Sequence, residues 1–185
     1  NLTDLLENMY ASGTLKGEIV RSIKFEDENL LLADRLVDQP LPDGTLEVES
    51  VPAWSIILEA LSEAEELRGE LKADLTSAVE SIRVHGSSEA SEPLKRSADL
   101  LLILVELFSS IDEFAARWPL TGLDVGFTAF RTKLAEVLRD LLEAQEVQNW
   151  VELADLIEYE LIPMLSELHD QLEDSTSKIK SLHDR

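Results

Sequence analysis

The sequence feature that most constrains the fold is one amphipathic segment, Asn149 to Leu172. Its apolar residues recur every three or four positions, which places them on one side of an α-helix. These residues are Trp150, Leu153, Ile157, Leu161, Met164, Leu168 and Leu172. Such a helix is not stable alone and needs apolar partners along its whole length. The sequence therefore predicts a mainly α-helical protein in which other helices cover this stripe.

Three earlier segments have the same helical spacing and can supply that cover. The spacing predicts helices over residues 52–84, 91–118 and 121–142. Short links join the four helices, a pattern typical of an antiparallel up-down four-helix bundle. Asn149, with Glu152 three residues later, is predicted to cap the fourth helix. We predict that residues 50–185 form this bundle. Pro163 is expected to kink the fourth helix, because proline lacks a backbone donor and clashes with the preceding turn.

The second of these helices differs from the others in carrying apolar residues around most of its circumference. Its central sequence reads DLLLILVELF, residues 99–108. A helix that is apolar nearly all round is normally buried on several sides. The sequence therefore predicts that this helix is the most enclosed one of the bundle.

Residues 1–49 are predicted to form a smaller N-terminal arm. In EIVRSIKF, Ile19, Ile23 and Phe25 alternate with Val20, Ser22 and Lys24, with Arg21 as the one exception on the apolar side, and TLEVESV also alternates. This alternation favours two half-buried strands and hence a short β-ribbon, whereas the competing interpretation is an irregular helical arm. Between them lies an apolar run, Leu30, Leu31 and Leu32. If the arm is loosely packed, this run forms an exposed apolar patch of the kind that marks a partner or dimer surface.

Charge restricts the partners that this chain can have. Its 185 residues include 38 acidic and 16 basic side chains, and its formal net charge is −22. Nucleic acids and anionic membranes require a basic surface, so the charge argues against both. No apolar run reaches the roughly 18 residues of a membrane span, and a cytoplasmic location is expected. A basic protein partner remains compatible with this charge.

The chain has few residues of the kinds that carry catalysis. It contains no cysteine, which excludes disulfides, thiolate metal sites and cysteine nucleophiles. The Gly-x-Ser-x-Gly elbow and the glycine-rich nucleotide-binding loops are also missing. The sequence therefore predicts no catalytic residues, no cofactor and no enzymatic activity.

A carboxylate-based metal site is the main alternative chemistry for a helical bundle. Di-metal bundles use Glu-x-x-His motifs on two helices, and none occurs in this sequence. His169 with Glu173, one turn later, is the nearest approach, but such isolated pairs are usually solvated. We predict no metal site, and a divalent-metal-binding bundle or metalloenzyme stays the alternative function.

The most specific candidate site is an acidic cluster on the fourth helix, formed by Asp155, Glu158, Tyr159 and Glu160. Its functional interpretation is either a surface that recognises a basic helix or tail or weak binding of calcium or magnesium. Its structural interpretation is a solvated helix face beside a kink. We expect a non-enzymatic interaction protein, adaptor or chaperone-like, with this cluster and Leu30–Leu32 as partner-binding residues. Self-assembly into a homo-oligomer is a third possibility.

The same helix resembles a segment of uncharacterised bacterial helical-bundle proteins. In those proteins, a helix of the form ADLLEYEL-P-L follows another helix after a short link. The resemblance is carried by Ala154, Asp155, Leu156, Glu158, Tyr159, Glu160, Leu161, Pro163 and Leu165. It covers the last quarter of the chain. It implies a bacterial source and a domain of unknown function, and it brings no known activity.

Overall fold

A computed structural model describes residues 2–15, 17–25, 28–29, 44–85, 87–117 and 126–183. The protein is mainly α-helical, as predicted, with a small antiparallel sheet near the N-terminus. The chain forms two compact units, residues 1–56 and residues 57–185. The predicted leucine patch, Leu30, Leu31 and Leu32, lies outside the described residues.

The N-terminal unit combines one helix with a small sheet. Its elements are helix α1 (Leu2–Ala11) and strands β1 (Glu18–Phe25), β2 (Glu28–Asn29) and β3 (Leu46–Pro52). The strands pair antiparallel in the order β2-β1-β3. The predicted β-ribbon is therefore confirmed as the pairing of β1 with β3. The two-residue strand β2 was not predicted, because it is too short to show an alternating pattern.

The alternating residues of β1 form the core of this unit. Ile23 is fully buried and lies opposite Val48 of β3. Together with Leu2 of α1 it forms an apolar cluster that half-buried neighbours extend. The register of the pair shifts between Val20 and Ser22. The residue between them, Arg21, is the extra residue of a β-bulge, which explains how a charged residue interrupts the apolar alternation.

The strand β3 leads directly into the first long helix. It ends at Pro52, and helix α2 (Ala53–His85) begins at the next residue. The prediction that Pro52 lies in the first turn of the helix is therefore wrong. The predicted boundary between residues 49 and 50 falls inside β3. No linker residues separate the strand from the helix. A change of composition along the sequence therefore did not locate the end of β3 or the start of α2.

The C-terminal unit is built from long helical segments. Its further elements are α3 (Ser87–Arg117), α4 (Thr128–Glu146), α5 (Trp150–Leu156), a π-helical turn (Ile157–Leu161) and α6 (Ile162–His183). Two predicted helix starts were wrong. Helix α3 begins before Ser91 and contains Pro93, whose carbonyl accepts a hydrogen bond from the Ser97 hydroxyl (2.9 Å). Helix α4 begins at Thr128, after the non-helical residues Gly126 and Phe127.

A compact turn joins α4 to α5. Gln148 adopts a left-handed conformation (φ 56°). Its amide donates to the carbonyl of Gln145 (3.0 Å), and the next amide, that of Asn149, donates to the carbonyl of Ala144 (2.9 Å). This pair of hydrogen bonds is the Schellman arrangement that ends many helices, with glutamine in the position usually held by glycine.

Every helical segment of this unit contributes to one aliphatic core. Its fully buried members include Leu71 of α2, Leu104 of α3, Leu134 of α4, and Leu161 and Leu165 of the C-terminal segment. Near the start of α4 the core becomes aromatic. Phe108 stacks on Phe127 at 4.1 Å between ring centroids and meets Phe130 edge-on at 5.6 Å.

Polar contacts between helices border this core. Arg96 of α3 pairs with Asp74 of α2. Arg131 of α4 pairs with Asp112 of α3 at 2.6 Å, and its guanidinium also donates to the Ser109 hydroxyl at 2.8 Å. The segment α5–α6 contacts both α2 and α4, the latter through an ion pair of 3.0 Å between Lys133 and Glu167.

Candidate partner-binding site at the π-helical turn

The predicted cap of the fourth helix is present and fixes where the candidate site begins. The side-chain oxygen of Asn149 accepts from the amide of Glu152 (3.3 Å), and the Asn149 side-chain amide donates to the Glu152 carboxylate (2.6 Å). Asn149 is therefore the N-cap residue, and the Glu152 carboxylate holds its side chain in place. This cap satisfies a backbone donor that the helix cannot satisfy itself and holds the Glu152 carboxylate at the helix start.

A π-helical turn, residues Ile157–Leu161, stands just before Pro163. The amide of Ile162 donates to the carbonyl of Ile157, five residues back. In a regular α-helix the carbonyl of Tyr159 would accept a hydrogen bond from the backbone N–H of residue 163. Because residue 163 is proline, it has no such N–H. A π-turn therefore lies directly before the proline at which a kink is predicted. Single π-turns inside α-helices are frequent at functional sites.

The turn divides its side chains sharply between core and solvent. Ile157 and Leu161 are buried, whereas 66% of the Tyr159 side chain is exposed. On the solvent side a shallow groove of about 340 Å³ follows the helix. Its lining residues, which we call the acidic π-turn surface, are Asn149, Val151, Glu152, Asp155, Leu156, Tyr159 and Glu160. The groove thus combines an exposed aromatic ring with several carboxylates.

Arg83 of α2 organises one side of this surface. Its guanidinium pairs with Asp155 at 3.1 Å and with Glu158. The pKa of Arg83 is raised, first by its side-chain hydrogen bond with Tyr159 and then by the negative charge of Glu158. Two of the predicted carboxylates, Asp155 and Glu158, therefore share one cation, Arg83. The Tyr159 ring stays exposed beside them.

Three of the four predicted residues on this helix come together in the groove. Asp155, Tyr159 and Glu160 line it, whereas Glu158 is held against Arg83 without being one of its lining residues. The prediction missed Val151, of which 72% is exposed. Val151 lies one turn before Asp155 on the same helix face, so helical spacing could have identified it. Nothing local in the sequence could have identified Arg83.

A second, larger groove runs between α2 and α6 and is more polar. It measures about 630 Å³ and is lined in part by Glu65, His169 and Glu173. His169 Nδ1 lies 3.0 Å from Glu65 Oε1. The pKa of Glu65 is lowered, chiefly by its hydrogen bonds from Arg68 (2.7 and 2.6 Å) and also by His169.

This groove is where the sequence came nearest to a metal site, through His169 and Glu173. The described part of the chain holds no group of three or more histidine, aspartate or glutamate side chains that could bind a metal ion. Glu65 is already engaged by Arg68 and His169. The chemistry of the groove is therefore that of an ion-pair network at a helix boundary.

Membrane spans require helices that are both long and apolar. Within the described residues, none combines the length and the apolar character that crossing a bilayer requires.

Comparison with known families identifies what kind of domain carries this surface. The family described as "Domain of unknown function (DUF8042)" matches residues 59–171, more than half of the chain. The chain belongs to the DUF8042 family. The match includes most of α2 and continues into α6, so it contains the whole acidic π-turn surface and Arg83. It agrees with the resemblance to an uncharacterised domain and extends well beyond the last quarter of the chain.

Two further comparisons gave no match. Neither a search of curated proteins nor a search of solved structures found a significant relative of this chain. A function for the DUF8042 domain must therefore be argued from its own side chains.

Proposed function

We propose that this DUF8042 protein is a non-enzymatic, acidic helical interaction protein, an adaptor or chaperone-like module. Its acidic π-turn surface binds a basic, amphipathic helix or tail of a protein partner. The observation that carries the proposal is the exposure of Val151 and Tyr159 within one groove that is also lined by Glu152, Asp155 and Glu160. Exposed apolar side chains rimmed by charge are a common feature of protein-binding surfaces.

The chemistry of the groove suggests how the partner is held. The ring of Tyr159 offers a large, stiff apolar contact, and tyrosine is enriched among residues that dominate binding energy. The carboxylates at the rim favour lysine or arginine on the partner and increase the association rate. An amphipathic helix provides both features, because one face supplies an apolar anchor and its flanks supply basic residues.

The scaffold of this surface is, in the same proposal, an antiparallel four-helix bundle. Its support lies in the order of contacts between α2 and the C-terminal segment. Glu65 meets His169, Lys72 donates to Ser166 at 3.3 Å, and Arg83 meets Asp155. Residue numbers therefore rise along α2 as they fall along α5–α6, the order expected for antiparallel neighbours. The pairs Asp74–Arg96 and Asp112–Arg131 link α2 to α3 and α3 to α4.

The other parts of the proposal come from the sequence. A cytoplasmic location, a bacterial source and a capacity for self-association stay predictions, and so does the lack of enzymatic activity. The metal-binding alternative gains no support from the described residues, which hold no group of three or more candidate ligands and in which His169 pairs with Glu65.

Peptide selection followed by calorimetry tests this proposal directly. Purified protein would be used to select binders from a random library of 16-residue peptides. The dissociation constants of the selected peptides would then be measured by calorimetry. We expect enrichment of lysine or arginine together with a bulky apolar residue. Tyr159→Ala should weaken the best peptide about tenfold or more, because truncating a binding hot spot costs at least about 1.4 kcal/mol.

Charge reversal provides a matched pair of variants. Glu160→Lys changes the groove, whereas Glu136→Lys changes an exposed glutamate of α4 outside it. Only the first should weaken binding and reduce its dependence on salt. Selected peptides without an excess of basic residues, or equal affinities for the two variants, would show that the acidic π-turn surface is not the binding site.

A further inference from the structure

An apolar cavity of about 150 Å³ lies in the C-terminal unit, behind the acidic π-turn surface. All four long helical segments contribute to its wall, through residues such as Leu75, Leu101, Leu141, Ile157 and Leu161. The last two belong to the π-helical turn. One turn of helix therefore lines the acidic groove with its outer side chains and this cavity with its inner ones.

The cavity opens to solvent between α3 and α4. Three of its lining residues, Ala98, Leu142 and Gln145, are exposed. Leu142 is a large apolar side chain at this mouth, and 59% of it is accessible. A small molecule could therefore enter between the helices without unfolding the core.

The inner wall offers nothing that would hold water. Among the described lining residues, the one buried polar side chain is Ser97, and its hydroxyl already donates to the carbonyl of Pro93 (2.9 Å). A buried water needs two to four polar partners, and cavities with leucine and isoleucine walls stay dry. The exposed residue Gln145 lies at the mouth, where its side-chain amide can form a hydrogen bond with a polar group on the outer end of a ligand.

The size of the cavity selects its occupant. Apolar cavities of about 150 Å³ accept molecules the size of benzene. A larger ligand would have to displace buried leucines, because protein interiors are close-packed. The part of a ligand that lies inside the cavity is therefore small and apolar, because a charged group would find no partner within.

We propose that this cavity is a binding site for a small apolar molecule, an aromatic ring or short branched hydrocarbon of about six to nine non-hydrogen atoms. The ligand lies against Ile157 and Leu161, and any polar group on it projects past Gln145. This site is separate from the proposed partner-binding groove, and either can exist without the other.

Methyl NMR with benzene as the probe tests the site. Full-length protein labelled at leucine, valine and isoleucine methyl groups would be titrated with benzene, and with pyrimidine as a polar molecule of the same shape. We expect saturable shifts at the methyl groups of Leu101, Leu141, Ile157 and Leu161. The dissociation constant should be on the order of 1 mM for so few atoms. Pyrimidine should give none of these shifts.

Substitutions at exposed positions provide the control. Ala98→Leu adds apolar volume at the mouth, whereas Ala135→Leu adds the same volume at an exposed site of α4 that does not line the cavity. The first should weaken benzene binding about tenfold or more, and the second should leave it unchanged. A second filling variant, Leu138→Phe, acts from the opposite wall, and circular dichroism would confirm that each variant is folded.

Three results would overturn the proposal. One is the absence of saturable shifts up to the solubility limit of benzene. Another is equal binding to the Ala98→Leu and Ala135→Leu proteins. The third is a set of shifts at the same methyl groups that depends on protein concentration without benzene, since this would show that a second copy of the chain covers the mouth.

Discussion

Helix α3 and the C-terminal segment, residues 150–183, use their apolar residues in opposite ways. The C-terminal segment has one narrow stripe, and almost all of it is buried, from Leu153 through Leu168 to Leu172. Helix α3 has apolar residues on most of its circumference, yet 60% of Leu102 and 46% of Ile103 are exposed. The prediction that α3 is the most enclosed helix is therefore wrong.

This difference shows that the number of apolar residues does not measure enclosure. Helix α3 buries one stripe, which includes Leu101, Leu104, Phe108 and Ile111 at steps of three and four. Residues beyond that stripe lie on a side that the described neighbouring helices do not cover. Because a helix face is buried only where another element meets it, surplus apolar residues stay at the surface.

Truncation of a buried leucine in the C-terminal segment should have the largest effect. Leu165 of α6 is fully buried. Leu165→Ala removes apolar contacts and leaves a cavity, so we expect the free energy of unfolding to fall by about 2–5 kcal/mol. Urea unfolding followed by circular dichroism measures this change. A loss below about 1 kcal/mol would mean that the stripe is less tightly packed than its burial indicates.

Removal of the cap at the start of the same segment should have an intermediate effect. Asn149→Ala deletes the acceptor for the Glu152 amide and the donor to its carboxylate. Loss of such a cap costs about 1 kcal/mol. Asn149→Asp keeps the acceptor, so in urea unfolding it should retain more stability than the alanine variant. Equal losses for the two variants would argue that the capping hydrogen bond contributes nothing.

Glu65 of α2, which pairs with His169 of α6, should contribute to the free energy of unfolding in a way that depends on pH. Because the folded pKa of Glu65 lies below its ordinary value of 4.5, its ionised form stabilises the fold above that pH. This contribution is lost as the pH falls through the lowered folded pKa. The Glu65 side chain is 36% exposed, so solvent screening limits the effect to under about 1 kcal/mol.

Comparison with a neutral variant measures this contribution. At pH 7, Glu65→Gln should unfold at a lower urea concentration than the unmodified protein, and the two midpoints should converge towards pH 3. Glu63→Gln, an exposed position of the same helix, serves as the control. If the difference between the two urea midpoints persisted unchanged at pH 3, the contribution of Glu65 would come from the packing of its side chain and not from its charge.

Substitution on the exposed side of α3 should have the smallest effect on stability. Leu102→Gln replaces an accessible apolar side chain with a polar one of similar length. We expect the free energy of unfolding to change by no more than about 0.5 kcal/mol. Urea unfolding would be compared at two protein concentrations. A loss near that of Leu165→Ala would contradict the comparison, and a loss only at the higher concentration would indicate that Leu102 is buried between copies.

The sequence predicted those features that depend on residues close together in the chain. Alternation located β1 and β3, and helical spacing located the stripe that ends at Leu172. The residue types of Asn149 and Glu152 located the N-cap of the last helical segment. These predictions succeeded because side-chain direction and capping are set by neighbours within about four residues. Helix starts were less well predicted. Helix α3 begins before the predicted position 91 and contains Pro93 in its interior, and helix α4 begins at Thr128, after the predicted position 121.

Only the tertiary structure decided which side chains of those helices meet. Arg83 and Asp155 are 72 residues apart in the chain, and Arg131 of α4 reaches Asp112 of α3. Such pairs depend on how each helix is rotated about its axis and which neighbour it faces, quantities that the packing of whole stripes determines. The same packing left Tyr159 exposed, buried Ile157 behind it and kept Leu102 at the surface. The sequence by itself thus determined which segments form helices, while the packing of those helices created the acidic groove and the cavity behind it.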